Sequence, residues 1–127
     1  MKPTSKRLRK SQQLQSWFLF TFSIVFFSGA QSYAGEVWVA NMKGANVQVI
    51  DTDSNKVVKT IPTGAGAHNV TFSPDGKLGF IANLGTKSIT IIDTSTKEVL
   101  ADVVADTKAH DVAVSPDGKL AVSCNVG

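Results

Sequence analysis

The sequence predicts an all-β repeat fold, and three observations carry that prediction. The pentapeptide Ser73-Pro74-Asp75-Gly76-Lys77 is spelled again at Ser115-Pro116-Asp117-Gly118-Lys119, 42 residues later. Its surroundings recur in step: His68 as His110, Asp51-Thr52 as Asp93-Thr94, Val57 as Val99, and Ala40-Asn41 as Ala82-Asn83, with Asn again at Asn125. Between the turn signals lie short β-branched and aromatic runs, and beyond residue 34 no segment shows helical apolar spacing. A period of this size, made of strands and turns, marks an architecture assembled from one supersecondary unit.

The first 34 residues stand outside the repeat. Lys2, Lys6, Arg7, Arg9 and Lys10 form a positive segment, followed by a nearly apolar run from Trp17 to Phe27 and by small residues at Ser32 and Ala34. That is the anatomy of a secretory signal peptide, cut after Ala34. An uncleaved anchor would need about 20 apolar residues, and Ser23, Ser28 and Gln31 interrupt the run. Cleavage leaves no stable membrane span and places the protein in the periplasm or outside the cell.

Removing the leader reverses the charge. Five of the 13 basic residues lie in it, so residues 35–127 hold eight Lys and no Arg against ten Asp and Glu, a formal charge of −2. No nucleic-acid surface is expected, because that needs Lys and Arg clustered on the folded domain. Cys124 is the only cysteine, so no disulfide forms within the chain. It is expected to be buried, since it takes the repeat position of Ala40 and Ala82 and a free Cys packs as a small apolar residue.

The strands follow in order. Glu36–Asn41 is β-branched and aromatic, and Val47–Asp51 resumes after the turn at Gly44–Asn46. Val57–Ile61 follows the polar turn that Asp51 opens, an Asp being able to accept backbone amides two residues on. Asn69–Ser73 closes on Pro74-Asp75-Gly76, where Pro presets φ and Gly supplies a positive one. The next cycle gives Leu78–Asn83, Ser88–Asp93, Glu98–Val104 and Asp111–Ser115, and Leu120–Asn125 opens a third.

Four antiparallel strands per 42 residues match one blade of a β-propeller. A four-stranded sheet cannot bury both apolar faces by itself, so Ile81, Ile89 and Ile91 are expected to need neighbouring blades. The repeats run over about 36–77, 78–119 and 120–127, and residues 35–127 thus hold only about two blades. Closed propellers have about 4–8. The chain therefore reads as a fragment of a longer propeller, or as a short chain that completes a ring by oligomerising. Taken alone it should leave open sheet edges.

The unit Leu78-Gly-Phe-Ile-Ala-Asn, Ser88-Ile-Thr-Ile-Ile-Asp-Thr, Lys97-Glu-Val-Leu and His110-Asp-Val-Ala-Val-Ser-Pro-Asp-Gly-Lys resembles the YVTN-type β-propeller repeat. Its tetrapeptide is matched by Trp38-Val39-Ala40-Asn41, Phe80-Ile81-Ala82-Asn83 and Val122-Ser123-Cys124-Asn125. YncE-like periplasmic or surface proteins carry such repeats, and the d1-haem domain of cytochrome cd1 nitrite reductase and lactonase-type propellers are similar. The resemblance implies that Asn69–Ser73 and Asp111–Ser115 line the central channel.

His68 and His110 are the only histidines and hold equivalent positions, placed by the sequence just before the channel-lining strand. Equivalent positions of a propeller ring the channel mouth, so the two imidazoles could converge on a transition metal or a haem iron. Residues that recur with the repeat are more often repeat structure, here a ring N–H bonding a neighbouring blade's backbone. Asp51, Asp93, Asp75 and Asp117 read as turn residues, and Asn41, Asn83 and Asn125 as bonding local backbone. Asp111 replaces Asn69 beside the histidine, making one His-Asp pair possible. Asn69-Val70-Thr71 is a formal glycosylation sequon at a strand start.

No phosphate loop, nucleophile elbow, Cys-x-x-Cys or haem-attachment motif occurs, so the sequence carries no enzyme signature. Three readings follow. The first is an exported, non-catalytic scaffold that binds a partner protein or small-molecule ligand at the channel mouth, without a cofactor. The second is a d1-haem-type or metal-binding, redox-associated propeller using His68 and His110. The third is a lactonase-like hydrolase, which would need acids and bases clustered in the channel.

Overall fold

The computed structural model describes residues 35–127; the predicted leader lies outside them. Among these described residues nine strands form three antiparallel sheets. Sheet A joins β1 (Glu36–Asn41), β2 (Asn46–Asp51) and β3 (Lys56–Pro62). Sheet B joins β4 (Ala67–Phe72), β5 (Leu78–Asn83), β6 (Ser88–Asp93) and β7 (Val99–Val104). Sheet C joins β8 (Lys108–Val114) and β9 (Ala121–Val126). Sheet B is the complete four-stranded blade that the period predicts.

The repeat reaches the hydrogen-bond ladders. Glu36 faces Asp51 as Leu78 faces Asp93. The register slips between Val49 and Ile50 and again between Ile91 and Ile92. It also slips between Ala67 and Asn69 and between Ala109 and Asp111. These bulges extend β4 and β8 upstream of the Asn69 and Asp111 starts that composition suggests. His68 and His110 consequently lie inside the strands, not ahead of them.

The turns behave as their residues dictate. In Ser73–Lys77 the Ser73 hydroxyl donates to Asp75 (2.7 Å) and accepts from the Leu78 amide (3.0 Å), and Gly76 holds φ at 71°. Ser115, Asp117, Leu120 and Gly118 repeat the arrangement, again with φ of 71° at the glycine.

Two apolar clusters separate the sheets. Successive side chains of a strand point to opposite faces, so β5 serves both. Ile81 joins Val47, Val49, Ile61, Ala67 and Ile92 against sheet A. Phe80 and Ala82 join Ala109 and Val112 against sheet C, with Ile89 and Ile91 packed alongside. The three isoleucines thus need a neighbouring sheet on each side, as expected. Cys124 does not follow its repeat position. It is exposed, because among the described residues no further sheet covers the face of β9 that corresponds to Ala82.

Candidate functional site

β4 and β8 run side by side as the first strands of sheets B and C. Each carries its histidine at a bulge, where one extra residue re-aims a side chain away from the ladder. The result is a contact between residues 42 positions apart. The His68 and His110 ring centroids lie 4.1 Å from each other with planes tilted by 41°. His68 is exposed and His110 half-buried.

One hydrogen bond fixes the chemistry of the pair. His68 Nδ1 lies 3.2 Å from the backbone oxygen of His110. A carbonyl only accepts, so Nδ1 carries the proton. In the neutral ring this leaves a lone pair on Nε2, the form in which imidazole ligates a metal. The sequence offered two alternatives, a ring N–H on a neighbouring blade's backbone or a ligand. The geometry makes the first compatible with the second.

The next residues extend the ladder. Asn69 Nδ2 donates to Asp111 Oδ1, which also accepts the Val112 amide at 2.7 Å. Asp111 therefore serves Asn69 across the sheet boundary, in place of the His-Asp pair that adjacency suggested. The sequon amide at Asn69 is engaged by the same bond. Asn69 and Asp111 sit at identical repeat positions, which is the signal that finds this contact in the sequence.

The remaining acids are turn groups. Hydrogen bonds from the Ser54 hydroxyl, then from its amide, hold the Asp51 carboxyl below the usual carboxylate range. Ser95 does the same to Asp93, helped by the Thr96 amide. The hydroxyls of Ser73 and Ser115, followed by the Lys77 and Lys119 amides, lower Asp75 and Asp117. The asparagines diverge from expectation. Asn125 reaches backbone, the Ala105 oxygen at 3.2 Å. Asn41 instead bonds the Asn46 side chain, and Asn83 bonds Ser88 and Thr90, because hydroxyls or amides stand opposite them on the next strand.

A second cluster joins sheets A and B. Lys97 Nζ lies 2.9 Å from Glu36 Oε2 and 5.7 Å from the centre of the Trp38 ring, whose Nε1 also donates to Glu36. Trp38 meets Phe72 edge to face, with centroids 5.4 Å apart. Nothing in the sequence pattern signals it, because Lys97 and Glu36 are not repeat equivalents.

Comparison with known proteins supports the fold. A search of curated proteins returned no match. Among solved structures, Kuenenia stuttgartiensis hydrazine synthase is similar at a TM-score of 0.65 and 31% identity, over 69% of this chain and 26% of that one. Dihydro-heme d1 dehydrogenase NirN, solved in complex with DHE, is similar at 0.66 and 27%, over 72% of this chain and 20% of that one. A functionally unknown protein from Desulfotomaculum acetoxidans DSM 771 is similar at 0.64 and 26%, over 72% and 32%. The chain thus spans a third or less of each of these three structures. The profile of the cytochrome D1 heme domain matches residues 36–126. Its sheets are β-propeller blades, and the chain belongs to the cytochrome D1 heme domain family.

Proposed function

We propose that this chain contributes to a propeller that binds a tetrapyrrole of the haem d1 type at its channel mouth, with His68 Nε2 as the nitrogen offered to the iron. The observation that carries the reading is the bond from His68 Nδ1 to the His110 oxygen. It sets the tautomer, and the tilted His110 ring packs against the His68 imidazole with centroids 4.1 Å apart. The family match and the similarity to a structure solved with DHE lend support.

Ligand arithmetic favours a tetrapyrrole over a bare ion. A transition metal held by protein alone takes three or four side-chain donors. Among the described residues no group of three or more His, Cys, Asp or Glu could hold one. A haem brings four nitrogens of its own and would need only one protein ligand, such as the His68 imidazole. When bound, it would supply iron redox chemistry and an exchangeable coordination position. This chain's part is to orient His68 and to keep its Nδ1 proton in place.

The scaffold reading also puts a ligand at the channel mouth but expects no cofactor, so the two readings part on whether a chromophore binds. The hydrolase reading draws no support from the site, where Asp111 is spent on Asn69 and the Val112 amide. Export to the periplasm or beyond rests on the leader sequence alone.

Titrating the full chain with ferric haem d1 and following visible absorption and electron paramagnetic resonance tests the reading. A saturable band shift with an imidazole-ligated signal is expected, lost in His68→Ala. His110→Ala keeps its backbone oxygen and should retain the signal, with affinity reduced by roughly tenfold, the low end for a residue that orients a ligand. An unchanged spectrum in His68→Ala would overturn the assignment.

A further inference from the structure

His68 is delivered by a short connector, Thr63–Gly66, that joins β3 to β4. The connector is tied to sheet B at two places. At its end the Gly66 oxygen accepts the Leu84 amide at 3.0 Å, and the Ala65 oxygen accepts those of Gly85 and Thr86 at 2.8 and 3.2 Å. Gly66 holds φ at 75°, and a Cβ there would lie 2.6 Å from the Gly85 nitrogen, so glycine is what lets the two loops meet. Nearer its start, the Gly64 amide donates to the Thr90 hydroxyl at 3.4 Å.

Thr90 is the centre of a buried polar group. Its one proton goes to Asp102 Oδ1 at 3.2 Å, so its other partners must be donors, and Asn83 Nδ2 is the second of them at 2.8 Å. Stability does not explain Asn83. The residue is fully buried, and its Oδ1 has no hydrogen-bond partner among the described residues. An orphaned buried acceptor is destabilising, whereas an apolar group of the same shape would cost little there. What distinguishes the position is its place in the ladder. Asn83 pairs with Ala67 and Ala82 with Asn69, and His68 is the extra residue between them. The bulge therefore starts at the pair that Asn83 itself forms.

We propose that Asn83 and Thr90 are positioning residues for His68. Their buried hydrogen bonds fix the Thr63–Gly66 connector, and with it the bulge that brings the imidazole to the His110 oxygen. The proposal deepens the reading of His68 as the nitrogen offered to a tetrapyrrole, and rests on it. The next repeat supplies a contrast. Residues 105–108, at the place of the connector, read Ala-Asp-Thr-Lys and hold neither glycine. What His110 gives the pair is a backbone oxygen, which needs no aimed ring.

Asn83→Leu, Thr90→Val and Thr90→Ser in the full chain test the proposal. Asn83→Leu removes the orphaned oxygen together with the clamp, so its urea midpoint should stay near that of the wild type. Its long-range proton–nitrogen spectrum should nonetheless show the His68 proton shared between Nδ1 and Nε2, and the Gly64 amide should exchange faster with solvent. Affinity for ferric haem d1 should fall by roughly tenfold, the low end for a group that orients a ligand. Thr90→Val should act alike, whereas Thr90→Ser keeps the hydroxyl and should keep the wild-type His68 spectrum. That spectrum needs no haem, so the two readings fail separately. His68 nitrogens altered in Asn83→Leu and Thr90→Val, in a chain whose wild type binds no haem d1, would uphold the clamp and overturn the ligand role alone. A His68 spectrum unchanged in both variants, or altered equally in Thr90→Ser, would overturn the clamp.

Discussion

Asn69 and Asp111 occupy the same position in successive repeats and hydrogen-bond each other, the amide of one donating to the carboxylate of the other. The bond works because the two residues differ: an amide facing a carboxylate supplies the proton that two carboxylates would lack. Asn69→Asp should therefore destabilise the chain at pH 7 by about 1 kcal/mol, discounted for an exposed site. The deficit should shrink below pH ~4, where carboxyls take up protons. Thermal melts at the two pH values check both parts.

The two faces of the blades predict unequal costs. Ile81 is fully buried between sheets A and B, whereas Val122 on β9 is 64% exposed. Ile81→Ala should cost about 2–5 kcal/mol through lost burial and the cavity left behind. Val122→Ala should stay within about 0.5 kcal/mol. Urea denaturation followed by Trp38 fluorescence separates them.

How far the sequence foresaw this follows from what a period can encode. Strand identity, the Ser-Pro-Asp-Gly turns and the alternation of Phe80, Ile81 and Ala82 are local properties, and each was legible. The bulges at His68 and His110 were not, because an extra residue leaves the pattern of apolar positions almost unchanged. Their effect was to draw both histidines into strands and turn the rings together. Cys124 was misjudged for another reason: its repeat position specifies a face but not whether a neighbouring sheet lies over it. The Glu36–Lys97 contact joins unlike positions, so no repeat argument reaches it.

Acid sensitivity should arise in the turns. The carboxyls of Asp51, Asp75, Asp93 and Asp117 all titrate below their ordinary value of 3.8 in the folded chain. A depressed folded value means stability that is fully present above the unfolded value and lost as pH falls through the folded one. Asp75→Asn combined with Asp117→Asn should lower the melting temperature at pH 7 by less than Ile81→Ala does. The gap to the wild type should narrow as pH falls below the ordinary value of 3.8 and the folded chain's carboxyls take up protons.

The bridge between sheets A and B makes a salt-dependent prediction. The Lys97 side chain is 17% exposed and that of Glu36 37%, so their attraction is only partly screened. A double-mutant cycle with Lys97→Met and Glu36→Gln should give a coupling of about 0.5–1 kcal/mol at low salt. It should weaken in 1 M salt, where the screening length falls to about 3 Å.

The proposed role of His68 rests on an unprotonated Nε2, its Nδ1 proton being held by the His110 oxygen. Long-range proton–nitrogen correlation spectra of the full chain at pH ~8, above the ordinary imidazole range of about 6.5, measure this directly. A His68 ring with a protonated Nδ1 and a pyridine-type Nε2 is the predicted result, and that Nε2 resonance should change when ferric haem d1 is added. A ring protonated at Nε2, unaffected by the tetrapyrrole, would contradict the role proposed for His68.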